Sequence, residues 1–158
     1  MNVEQFEQSL DGIEDIADSG DLLAALAMAI TLSDLPLTPV QAAEVKLLSG
    51  SLLARDAKFE EAKIDVLQAQ QMCASAQARE LGTECAITLA SITAASGDYP
   101  SAIEQLKLIV HQLDDPKLAP ADEKAKQQLK ADALAELRSY TNLTSPKNQA
   151  TWASMLKK

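Results

Sequence analysis

One short pattern, written three times along the chain, constrains the fold more than any other feature. It reads Gly20-Asp21-Leu22, then Ala25, Ala29 and Leu32. It returns as Ala57-Lys58-Phe59, then Ala62, Val66 and Ala69, and again as Gly97-Asp98-Tyr99, then Ala102, Leu106 and Ile109. Each copy gives a small residue, a polar residue and a large apolar one. An alanine follows three residues later, with apolar positions four and seven beyond it. Intervals of three, four and seven keep side chains on one face of a helix. The small residue in front marks the point where a preceding helix has to stop. Upstream, seven residues before the turn, stand Gly50 and Ala90, with Ile13 at the same place in the first copy. The chain therefore predicts helix–turn–helix units whose paired helices approach closely.

Composition agrees. Apolar residues make up 47% of the chain and aromatics only 3%, a balance that suits helix packing better than strands. The periodicity predicts helices at about 2–18, 21–34, 39–56, 58–75, 77–96, 99–114, 120–140 and 146–157. Thr38-Pro39 with Gln41 has the form of a capping box with proline in the first turn, and Ser145-Pro146 repeats the Ser/Thr-Pro start. Pro36, Pro116 and Pro120 mark loops. The loops are short, so neighbouring helices are expected to be antiparallel.

On these residues the sequence resembles the tetratricopeptide repeat family. That family places a small residue in the first helix, an aromatic after the inter-helix turn and a small residue, usually alanine, in the second helix. Gly50, Phe59 and Ala62 match, as do Ala90, Tyr99 and Ala102. The equivalent alanines Ala25, Ala62 and Ala102 stand 37 and 40 residues apart, against about 34 in the family, so the helices are longer. The resemblance implies an all-α fold: an α-solenoid of three antiparallel hairpins (about 6–36, 39–75 and 77–116) with a C-terminal helix and a short capping helix in 120–158, forming one domain over 1–158. An irregular helical bundle with accidental alanine spacing is the alternative.

The resemblance also implies a concave groove lined by the first helix of each pair. It assigns Glu7, Leu10, Glu14, Ala17 and Asp18 to the first pair, and Glu44, Leu47, Ser51, Ala54 and Arg55 to the second. Glu84, Ile87, Ser91, Ala94 and Ala95 belong to the third. Each set opens with glutamate, continues with leucine or isoleucine and carries alanine at its fourth place. Such a groove suits a protein or peptide partner with large apolar residues flanked by Lys or Arg. Family members that clamp a chaperone's C-terminal carboxylate use Lys, Arg and Asn on these faces. Here only Arg55 is basic, so that ligand class is disfavoured. Trp152, the only tryptophan, stands near Met155 and Leu156 in the final helix. It reads either as part of a cap sealing the last apolar face or as an anchor in a partner or a second copy, which keeps a homo-oligomer open.

Charge and motif content narrow the function further. The net charge is −9, and residues 1–45 hold acids (among them Asp11, Asp15 and Asp34) but no lysine or arginine. A nucleic-acid role is not expected, because phosphate contacts need a dense basic patch. No apolar run approaches the roughly 20 residues of a membrane span, and the first residues lack the form of a secretory signal, so a cytoplasmic protein without membrane insertion is expected. No phosphate loop, HExxH or G-x-S-x-G motif is present. His111 is the only imidazole, Cys73 and Cys85 read as packed thiols, and the acids of the first helix read as a solvated face. The expectation is a non-catalytic adaptor or chaperone-like module with no cofactor or metal. A self-assembling scaffold subunit is the alternative, and a regulatory ligand sensor a less favoured one.

Overall fold

The computed structural model describes residues 1–145. The helix expected at 146–157, with Trp152, lies outside the described residues. Within them are seven helices and no strand: α1 (Val3–Asp18), α2 (Leu22–Ser33), α3 (Pro39–Arg55), α4 (Phe59–Ala76), α5 (Arg79–Ala95), α6 (Tyr99–Leu113) and α7 (Glu123–Leu143).

The repeated triad has one structural meaning in all three copies. Gly20, Ala57 and Gly97 each adopt positive φ, at 102°, 58° and 101°. Their amides donate to the carbonyls of Ala17, Ala54 and Ala94 at 3.0, 3.0 and 2.9 Å. The next amides, of Asp21, Lys58 and Asp98, donate to Ile16, Leu53 and Thr93 at 3.3, 2.9 and 3.1 Å. This pair of bonds is the Schellman motif, which satisfies the last carbonyls of a helix through a left-handed residue. Asp21 and Asp98 then cap the following helix, accepting from the amides of Ala24 and Ser101 at 3.1 Å each. Two residues thus end one helix and start the next.

The other helix starts follow local chemistry too. The expected capping box is complete: the Gln41 amide donates to Thr38 Oγ1 at 3.1 Å and the Thr38 amide to Gln41 Oε1 at 3.0 Å. Two boundaries differ from expectation. α5 starts at Arg79 because Gln77 takes φ 57° and breaks the chain there. α7 starts at Glu123, behind the cap Asp122, because residues 116–121 turn around two prolines, and it runs on to Leu143.

The helices pack as a solenoid. Consecutive helices touch throughout, α1 touches α3, α3 touches α5 and α5 touches α7, whereas α2, α4 and α6 do not touch one another. A row in contact is shorter than a row held apart, so the odd-numbered helices form the concave side. Three cores lie along the stack, each shared by three successive helices. Phe6, Ile13 and Leu32 meet Leu52 in the first; Val66, Cys73, Cys85 and Ile92 fill the second; Leu106, Leu113 and Leu129 the third. Gly50 sets the tightest approach. A Cβ there would lie 2.6 Å from Val66 Cγ2 and 3.1 Å from the Ala62 carbonyl oxygen, so α3 and α4 meet almost backbone to backbone. In α1 the equivalent Ile13 is itself buried in the core. On the convex side α2 carries no charge at all (LLAALAMAITLS), and Leu23, Met28 and Ile30 are exposed.

Candidate functional site: an acidic concave groove

The odd-numbered helices enclose a groove of about 1090 Å³. Leu10 and Glu14 come from α1; Glu44, Leu47 and Ser51 from α3; Glu84 and Ile87 from α5. These seven of the expected residues converge because positions three and four apart on each helix point to one side and the helices stack in register. The apolar members form a floor and the carboxylates a rim.

Eight other expected positions on the described helices fall outside that lining: Glu7, Ala17, Asp18, Ala54, Arg55, Ser91, Ala94 and Ala95. Arg55 is drawn to α1 instead, its Nη1 3.2 Å from Asp18 Oδ1 and its Nη2 donating to the Ala17 carbonyl at 3.1 Å. It fastens the first hairpin to the second. Ala94 is buried at the end of α5, where the helix turns toward α6. Ser91 donates to Glu136 on α7, 2.8 Å from both carboxylate oxygens. Glu7 is exposed on α1, near enough to Glu44 to act on its charge. The cause is common to Ser91 and Ala94: neighbouring helices pack onto the last turns of α5, so only its first half faces the opening.

The fourth wall was not assigned from sequence. α7 contributes Leu129, Asp132, Ala135 and Glu136, which makes it the fourth member of the concave row. The signal was present in the three- and four-residue spacing of these positions, but α7 lacks the turn triad that marks the other units. Arg79 and Glu80, at the start of α5, are also in the lining. Arg79 Nη1 donates to the Ala119 carbonyl at 3.4 Å.

The groove is electrostatically unbalanced. Glu14, Glu44, Glu80, Glu84, Asp132 and Glu136 face a single base, Arg79. Partial burial raises the Glu44 carboxyl above its ordinary range, and the charge of Glu7 raises it further. Glu84 is raised by desolvation first, then by Glu80, Glu44 and Asp132. Neither Glu44 nor Glu84 has a cationic partner among the described residues, so like charges are held together across a narrow space. Such an arrangement attracts a cation and offers an apolar surface beneath it.

The thiols behind the groove have different chemistry. Cys73 and Cys85 are free and buried in the second core. Desolvation, then the neighbouring Cys73 and Glu84, pushes the Cys85 thiol up to about 12, so both stay protonated at neutral pH and are poor nucleophiles. Among the described residues no group of His, Cys, Asp and Glu is placed to hold a metal ion, and no helix is long and apolar enough to cross a membrane.

Fold and groove together define an all-α solenoid of helix hairpins with an acidic concave face. Compared with family models, curated proteins and solved structures, the chain matches none.

Proposed function

We propose that this chain is a tetratricopeptide-like interaction module whose concave groove holds a basic, amphipathic peptide or helix of another protein. The observation that supports this is the groove itself: Leu10, Leu47 and Ile87 under a rim in which Glu44 and Glu84 lack a cationic partner among the described residues. Apolar burial supplies the affinity, at roughly 25 cal/mol per Å² before association costs. The carboxylates steer the encounter and fix the orientation of the bound segment. Fold alone would not carry this reading, since helical solenoids serve many ends.

A labelled synthetic peptide with leucines at helical spacing and flanking lysines, titrated into the full chain, tests the proposal. Its affinity falls with added salt, and E44K/E84K weakens it at least about tenfold, the equivalent of ~1.4 kcal/mol. Unchanged affinity in that variant would remove the groove from consideration.

A second reading, a self-assembling scaffold subunit, is favoured by α2, whose uncharged outer face leaves Leu23 and Ile30 74% and 62% exposed. A helix apolar all round is normally covered. That reading expects a mass by light scattering that rises with concentration and returns to the monomer in L23E/I30E. A monomer at every concentration sinks it.

A further inference from the structure

A second cavity lies at the end of the stack where α4 turns into α5 and α6 runs into the loop before α7. It measures about 470 Å³, within the range of small-molecule sites. Its floor is apolar: Cys73, Ile109 and Leu113 are buried there. Its rim carries Arg79, Lys117 and the side-chain amides of Gln70, Gln77 and Gln112. We propose that this cavity binds a small organic carboxylate, its charged head held by Arg79 and Lys117 and its apolar body resting on the floor. The inference does not depend on the reading of the groove.

Charge is the first support. The whole chain has a net charge of −9, yet the lining of this cavity holds two bases and no acid. Asp115, the acid closest in sequence to Lys117, accepts the Lys117 amide at 2.9 Å and stays outside the lining. The second support is the state of those bases. Most lysines and arginines on the described residues pair with a carboxylate there; Arg79, Lys117, Lys124 and Arg138 do not. Arg79 and Lys117 meet at this one cavity. The Arg79 guanidinium donates to the Ala119 carbonyl at 3.4 Å, which leaves most of its N–H groups for a ligand. A guanidinium and an ammonium both form strong, charge-assisted bonds to carboxylate oxygens. The third support is Gly82. Glycine within a helix is unfavourable, and at Gly50 a close backbone approach explains it. At Gly82 an added Cβ would meet only Cys73 Cβ, at 3.5 Å, an ordinary contact. Packing does not require this glycine; with Ala74, Ala78 and Ala86 it keeps the cavity open.

Hexanoate titrated into the isotope-labelled full chain tests the site, read from backbone amide shifts. The amides of Gln77, Gly82 and Leu118 are expected to shift and to saturate in the millimolar range or below, the affinity that so small a ligand can reach. Hexanol, which has the same apolar body without the charge, binds at least about tenfold more weakly, and K117E weakens hexanoate at least about tenfold, because a charge-assisted contact is lost. K117R retains it. Lys117 is exposed in a turn and does not line the groove, so K117E leaves the helices and the groove intact. E44K/E84K in turn leaves the hexanoate affinity unchanged, which separates this site from the groove. Shifts that do not saturate, shifts centred on Leu47 and Ile87, equal affinity for hexanol, or a K117E variant that binds like the original chain each overturn the proposal. Inorganic phosphate binding more tightly than hexanoate overturns the carboxylate assignment.

Discussion

Gly50 has a role that composition could not have assigned to it. Helix interiors normally disfavour glycine by about 1 kcal/mol relative to alanine, so Gly50→Ala would strengthen an isolated α3. Inside the stack the added Cβ meets the stiff, β-branched Val66 at 2.6 Å and a backbone oxygen at 3.1 Å. Neither gives way without moving α4. Overpacking of this kind costs about 1–3 kcal/mol, which outweighs the propensity gain. Chemical denaturation of Gly50→Ala is expected to show a net loss of ~1–2 kcal/mol. At the equivalent place α5 already has the buried Ala90, so the same substitution is tolerated at one step of the stack and not at another. The small residue was legible in the sequence; the severity of its contact was not, because that depends on which side chain the partner helix turns toward it.

Among the elements, α4 begins less securely than α2 and α6. All three follow the same Schellman turn, but Asp21 and Asp98 cap their helices while Lys58 makes no side-chain cap. Lys58 pairs only with Asp56 at 3.5 Å, a surface contact of little worth. Lys58→Asp supplies the missing oxygen acceptor beside the first amides of α4 and a negative charge at the positive end of its dipole. The variant is expected to gain about 0.5–1 kcal/mol, read as a higher denaturation midpoint with unchanged slope. A neutral or lower midpoint would mean that repulsion from Asp56 and Glu60 cancels the cap. The double use of the central residue, ending one helix and capping the next, is visible in the repeated Gly-Asp pair. The exception at Ala57-Lys58, with its positive φ on a residue that has a Cβ, is a departure only the backbone reveals.

Across the whole molecule, stacking concentrates carboxylates that are far apart in sequence. Glu44 and Glu84 each have a folded pKa raised above the ordinary value, by desolvation first and then by neighbouring acids. A raised carboxyl holds its proton more firmly in the folded state than in the unfolded one. Stability therefore declines as pH rises from the ordinary glutamate range through the folded pKa, and the penalty is fully present above that folded pKa. E44Q/E84Q is expected to melt at a higher temperature than the original chain at pH 7. The difference closes as pH falls through the ordinary glutamate range, where both carboxyls are protonated in either state. A difference independent of pH would show that the two groups do not share the stress of the groove. A bound cationic segment acts in the same sense as the substitutions, so binding is expected to release stress that folding imposes.

By itself the sequence determined the helical class, the three turn positions and the face of each odd-numbered helix that carries Glu and Leu. Those are local properties: intervals of three and four residues, a left-handed residue, a cap. The tertiary structure decided what stacking alone can decide. It placed α7 as the fourth wall, bringing Asp132 and Glu136 opposite Glu84. It withdrew Arg55, Ser91 and Ala94 from the opening by bonding them to Asp18, Glu136 and the core. It also turned separate acidic residues into one coupled rim. A pattern along one helix fixes which way a side chain points, but the neighbour it meets is set by the packing distance and angle between helices, and no single repeat encodes that.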